Sequence, residues 1–271
     1  MSRRVLISGS VAFDTIMVFD GYFKDHILAD KVHMLNVAFL TPRLKREFGG
    51  CAANIAYNLK MLGGEPIVLA TVGHDGGDYL ERIAALGIDT SHLVQLNDQF
   101  TAQAFITTDL ADNQIIAFHP GAMSLAHQVS ASGALPATLG IVSPNGKDAM
   151  LQHAREFHEA GIPFIFDPGQ GLPMFGGPEL EEFVRLAEYV TVNDYEAQML
   201  QERTGIGCLL NKGDADAAAD IDLNSSDFER PLEAGEDIAG KFLNGRVVDR
   251  ARQHQCEDVG AEARQSPAAD P

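Results

Sequence analysis

Gly49-Gly-Cys-Ala-Ala-Asn54-Ile-Ala-Tyr-Asn-Leu-Lys-Met-Leu62-Gly-Gly64, followed by Pro66-Ile-Val-Leu-Ala-Thr-Val72, is the stretch that sets the fold class of this chain. Ile55, Leu59 and Leu62 recur at helical spacing, and Gly63-Gly64 stops the run, so a helix is expected over residues 52–62. Residues 66–72 are apolar but for Thr71, the pattern of a strand buried on both faces. The two textures keep alternating outward from here. Val5 to Ser10 reads as a first buried strand ending in Gly-Ser, and Asp78 to Leu86 as a helix closed by Gly87. Further on come a strand at Leu139 to Val142, a helix around Asp148 to Ala160, and a strand at Pro163 to Phe166 that ends in Asp167-Pro168-Gly169. A helix around Glu179 to Leu186 and a strand at Tyr189 to Val192 complete the series. Strands separated by helices of about a dozen residues imply right-handed βαβ units, hence an α/β fold with a doubly wound, mainly parallel sheet.

Two patches break this rhythm. Thr15 to Phe19 and Lys31 to Phe39 alternate in short stretches, and Phe100 to Thr108 with Gln114 to His119 reads as a hairpin turned by Asp109 to Asn113. Together, over about residues 12–48 and 97–120, they are expected to form a small β lid on a domain of residues 1–205. Beyond Gly205 the pattern decays. Ala215 to Asp222 and Asp227 to Asp237 are acidic, and Gln253 to Pro271 is polar and rich in Ala and Pro. Residues 206–271 therefore read as a divergent acidic tail, partly disordered, with weak helices around Phe228 to Leu243.

Composition narrows the function classes. The chain has 271 residues, is 45% hydrophobic and carries a formal charge of −18, so a nucleic-acid polyanion would be repelled and is not expected as a partner. A small anionic ligand stays open, because backbone N–H groups and a Mg²⁺ ion can reverse the field locally. Cys51, Cys208 and Cys256 form neither a disulfide framework nor a zinc-ligand spacing. No run of about 18 apolar residues offers a membrane span. A cytoplasmic setting is the expectation.

In open parallel sheets, ligands sit beyond the carboxyl ends of the strands. Unusual polar residues fall there: Asp14 past the first strand, Asp167, and Asn193; Gly49-Gly50 precedes a helix whose first turn holds Asn54. Each also has a bland reading. Asp14 can cap or turn the chain, Gly49-Gly50 can be a turn, and Asn193 to Glu196 fits a helix N-cap with its acidic third position. Asn54 is unfavourable in a helix unless it faces solvent or has a partner for its amide.

Taken in order, these elements resemble the ribokinase-like (PfkB) family of carbohydrate and nucleoside kinases. The matching text is Gly9-Ser-Val-Ala-Phe-Asp14; Gly49-Gly-Cys-Ala-Ala-Asn54 with Ala56, Asn58, Leu59 and Leu62-Gly63; Val72-Gly-His-Asp75 with Leu86-Gly-Ile-Asp89; and Val192-Asn-Asp-Tyr-Glu196. Thr101 to Thr108 with Asn113-Gln-Ile and His119-Pro-Gly-Ala-Met123 is most similar to bacterial adenosine-kinase-like members. The resemblance implies transfer of the γ-phosphate of ATP to a sugar or nucleoside hydroxyl, with Mg²⁺, adenosine being the best single substrate. It assigns Asp14, Gly49, Gly50 and Asn54 to the sugar, Asn193 to the phosphates, and Glu196 to Mg²⁺ through water. Separately, an exposed β lid tends to be covered, and a homodimer paired through it is expected.

One departure bears on activity. The family carries a Thr-x-Gly nucleotide loop and an Asp-Thr-x-Gly-Ala-Gly-Asp element whose last Asp is the base, and neither is present. Leu210-Asn-Lys-Gly213 and Arg246-Val-Val-Asp249 match only fragments of them. Family text to about Gly205 followed by unrelated text is the pattern of a truncated or frame-altered product. The alternative is thus a non-catalytic sugar- or nucleoside-binding or regulatory protein. A Rossmann-type dehydrogenase is set aside, because no Gly-x-Gly-x-x-Gly follows the first strand.

Overall fold

The computed structural model describes residues 4–27 and 36–206 and, for the backbone alone, residues 247–249. Its first strand, β1 (Arg4–Ser8), places Leu6 in one apolar core and Ile7 in the other, as a strand covered on both faces must. The chain then enters β2 (Ala12–Val18) and returns on β3 (Arg43–Gly49) to α1 (Cys51–Met61), β4 (Glu65–Gly73), α2 (Gly77–Ala85) and β5 (Leu93–Leu96). A second excursion follows, on β6 (Ala102–Thr108) and β7 (Gln114–His119), before β8 (Leu139–Val142). The remaining units are α3 (Lys147–Glu159), β9 (Phe164–Phe166), α4 (Gly177–Leu186), β10 (Tyr189–Thr191), α5 (Asp194–Thr204) and β11 (Val247–Asp249).

Six strands in the order β10-β9-β8-β1-β4-β5 are mutually parallel, and β11 adds antiparallel to β10. On one face α1 and α2 bring Ala52, Ala56, Tyr79 and Ile83 onto Ile7, Val68 and Val72. On the other, α3, α4 and α5 bring Met150, Phe157, Leu180, Phe183 and Leu200 onto Leu6, Leu69, Phe164 and Phe166. The expected doubly wound sheet is therefore the observed one.

The excursions pair into a separate sheet of order β3-β2-β6-β7, in which β2 lies antiparallel to β3 and parallel to β6. Two details differ from the sequence reading. The partner of β2 is Arg43–Gly49 and not the alternating run Lys31 to Phe39, of which residues 36–39 have no regular structure and 31–35 lie outside the described residues. Residues 43–47 hide this edge strand behind charges, Arg43 bonding Asp20 and Lys45 pairing with Glu47. The short β5 also escaped notice, since Val94 and Gln95 are exposed and leave no apolar run. The far end of the lid has its own knot. Asp109 accepts hydrogen bonds from the backbone N–H groups of Phe23, Ala111 and Asn113, beside the clustered rings of Phe19, Phe23 and Phe39. The expected helices near Phe228 to Leu243 and the tail fall outside the described residues.

Candidate active site

Three carboxylates and one thiol mark the carboxyl-end rim of the sheet. Asp14, placed by the sequence just past β1, is instead a residue of β2, paired with Glu47 and Ala104. The reason lies in the short crossing from β1. Ser10 donates its N–H to the Pro144 carbonyl at 2.8 Å, while its hydroxyl and carbonyl oxygens accept from the N–H groups of Cys51 and Ala52 at 3.0 Å each. With the crossing pinned, Ala12 already starts a lid strand. Burial raises the Asp14 carboxyl above its ordinary pKa.

Gly49 and Gly50 carry the chain back from lid to sheet, and both need to be glycine. A Cβ on Gly49 would lie 2.2 Å from Asp14 Oδ2. Gly50 has φ +92°, and a Cβ there would lie 2.6 Å from the Ser10 carbonyl oxygen. The Tyr79 hydroxyl donates to the Gly49 carbonyl at 2.5 Å, fixing the turn. Asn54 stands in the first turn of α1, half-buried, its N–H bonded to the Gly50 carbonyl and its own carbonyl accepting from Asn58 Nδ2. Asp14 is thus carried by the lid and Asn54 by the body, with Gly49-Gly50 between them.

Cys51, on the same rim, feels both Asp14 and Asp167. Burial pushes its thiol up, and the negative fields of Asp167 and Asp14 push further in the same direction. Asp167 follows β9, its N–H bonded to the Val142 carbonyl at 2.9 Å. Its carboxyl is pushed up to about 7, chiefly by burial and then by the charge of Glu196, against the pull of the Gly169 N–H. Asp167 is a group that sequence reasoning noticed but gave no role; an acid just past a parallel strand was the available signal.

Asn193 and Glu196 form a capping box on α5. Asn193 Oδ1 accepts from the Glu196 N–H at 2.9 Å, and Glu196 Oε2 accepts from the Asn193 N–H at 3.0 Å. The bland reading of this pair is therefore realised, and it fixes Glu196 within electrostatic reach of Asp167. Among the described residues there is no group of three or more His, Cys, Asp or Glu able to hold a metal directly. A fixed carboxylate beside a second one suits a hydrated divalent cation.

A parallel sheet wound on both faces, with a lid lowering a carboxylate over its carboxyl rim, is the architecture of the ribokinase-like α/β proteins. The model for pfkB family carbohydrate kinases matches residues 13–222, and the chain belongs to that family. The nucleoside kinase of Methanothermobacter thermautotrophicus is 27% identical over 208 residues, which cover 75% of this chain and 64% of that protein. The structure of Burkholderia thailandensis nucleoside kinase in complex with inosine is 49% identical, with a TM-score of 0.66 over 74% of this chain and 64% of that one. That of Methanocaldococcus jannaschii nucleoside kinase, at 24% identity and a TM-score of 0.64, shares the fold. The chain thus spans just under two thirds of the length of these relatives.

Proposed function

We propose that this chain binds a nucleoside through its ribose, at the acceptor site of an ATP-dependent nucleoside kinase. The observation that carries this reading is the Asp14 carboxylate lodged against Gly49, on a lid strand whose charge reaches the start of α1. A carboxylate there accepts two hydrogen bonds from vicinal ribose hydroxyls, and the absence of a Cβ at Gly49 and Gly50 lets the ring approach the backbone. Asn54, on the body side, donates and accepts beside it. The lid excludes water from the acceptor hydroxyl. Support for a nucleoside over a free sugar comes from the Burkholderia relative, solved with inosine. Adenosine remains the first alternative acceptor to try.

On the phosphate side, Glu196 would hold Mg²⁺ through water, and Asn193 would help place the phosphates of ATP. When bound, the ion would supply positive charge against the phosphate oxygens. The glycine-rich phosphoryl cradle and its base are absent from the sequence, so no described residue is assigned to take the hydroxyl proton. That absence favours the second reading, a nucleoside-binding protein without transfer. A second copy pairing along the exposed β7 edge, a cytoplasmic location, and no nucleic-acid or membrane partner complete the proposal. No helix among the described residues is long and apolar enough to cross a membrane.

Calorimetric titration with inosine, then adenosine and ribose, tests the binding reading. Micromolar binding is expected, about a hundredfold weaker in Asp14→Asn through loss of two charge-assisted bonds. Equal affinity in that variant would refute the assignment. ADP release dependent on nucleoside would refute the non-catalytic reading. Light scattering at tens of micromolar tests the second copy, a monomeric mass counting against it.

A further inference from the structure

Val72-Gly73-His74-Asp75 matches family text, yet nothing in the site described so far uses it. In the structure it is the loop leaving β4, and it is stitched to the entrance of β6. The His74 N–H and ring Nδ1 both reach the Gln99 carbonyl, at 2.9 and 2.7 Å; a carbonyl only accepts, so Nδ1 carries a proton. The Gly73 N–H donates to Thr101 Oγ1 at 2.9 Å, and a Cβ on Gly73 would lie 2.2 Å from the Phe100 carbonyl carbon. Asp75 completes the seam. Its carboxylate accepts from the Thr101 N–H at 2.7 Å and from Gln103 Nε2 at 3.1 Å, and lies 3.7 Å from the Arg46 guanidinium.

The register shows where these bonds act. Gln103 on β6 stands opposite Phe13, and Arg46 on β3 stands opposite Thr15. They therefore pair with the residues immediately before and after Asp14. Successive residues of a strand face opposite sides, so Asp75 grips the face of the lid that lies behind the Asp14 side chain. The Arg46 guanidinium also covers the Phe13 ring at 3.6 Å, which ties the grip back to β2 itself. Tyr79 packs under Phe13 and Phe48 nearby, at centroid distances of 5.4 and 5.0 Å. Such apolar contact holds the lid down but tolerates sliding; hydrogen bonds to a carboxylate are directional and fix an angle. Two of the covalent crossings have a glycine at positive φ, Gly50 and Gly121, so the backbone there turns with no Cβ to resist a change of angle.

We propose that Asp75 is a positioning residue that fixes the angle of the lid on the sheet and so sets how far Asp14, on the lid, stands from Asn54 and Asp167, on the body. The consequence for binding rests on the nucleoside reading above; the latch itself does not.

Hydrogen–deuterium exchange of the full chain separates the two. In Asp75→Asn, which keeps an acceptor for the Thr101 N–H but loses the charge, amides of β2 and β6 are expected to exchange about tenfold faster while β8 and α3 are unchanged. Asp75→Ala is expected to enlarge that contrast. A uniform rise over the whole chain, or no change in the lid, overturns the latch. Inosine affinity, by calorimetry, is expected to fall about tenfold in Asp75→Asn. Altered lid exchange with unchanged affinity would overturn the claim that the latch sets the site. Absence of heat from the wild-type chain would overturn the nucleoside reading and leave the exchange contrast to decide the latch.

Discussion

Phe183 of α4 is 1% exposed and stacked on Phe166 at 4.3 Å, whereas Ile116 of β7 is 54% exposed with Ile115 and Phe118 bare beside it. The first packs onto a sheet whose strands are wrapped on both faces; the second belongs to a sheet that one helix and a few polar contacts hold in place. Burial supplies the stability of the body; directional polar contacts supply the placement of the lid. The candidate site needs both, because Asp14 belongs to the lid while Asn54, Asp167 and Glu196 belong to the body.

The contrast can be broken most forcefully at Phe183. Phe183→Ala removes a ring that also meets Phe175 edge-on at 5.0 Å, and should cost about 4 kcal/mol in urea denaturation. A loss under ~1 kcal/mol would show that the body is not the stabilising half. A middling effect is expected from Asp167→Asn, read as stability against pH. The folded carboxyl titrates at about 7, well above its ordinary value of 3.8. The fold thus favours the protonated form, and the wild type loses that contribution as pH rises from about 4 through 7. The variant should escape the loss and gain on the order of 2 kcal/mol relative to wild type between pH 5 and 8, after allowance for solvent around a half-buried group. Parallel pH profiles for the two proteins would remove Asp167 from the argument. The smallest effect is expected at Ile116. Ile116→Ser should leave stability within about 0.5 kcal/mol, while weakening any association through the β7 edge measured by light scattering.

His153 works against Asp167 within the body. Its ring is wholly buried, with Nε2 donating to the Val129 carbonyl and Nδ1 accepting from the Ser8 hydroxyl, both at 2.7 Å. Burial lowers its pKa, so its contribution is lost as pH falls below the ordinary 6.5. Where the two titrations overlap their slopes oppose, so the body's stability varies less with pH there than either group alone would make it.

Much of the body was legible in the sequence because apolar runs and helical spacing are local. The expected helix at 52–62 and strand at 66–72 are α1 and β4 within a residue or two, and the hairpin strand Gln114–His119 is β7. The lid was legible only as texture. Arg43–Gly49 carries charges where an exposed edge strand needs no apolar face, so its pairing with β2 left no periodic trace. The site residues were found by order and type, but their alliances were not. That Gly49 touches Asp14, that Glu196 raises Asp167, and that Asp75 reaches Gln103 are contacts between segments 20 or more residues apart, which no local pattern encodes.

Both excursions that build the lid leave the body and rejoin it between consecutive body strands: β1 resumes at β4 through α1, and β5 resumes at β8. No lid strand is interleaved among the six parallel ones. The lid is therefore an accessory inserted between strands of the body, and evolution can lengthen, swap or reshape it without rethreading the scaffold beneath.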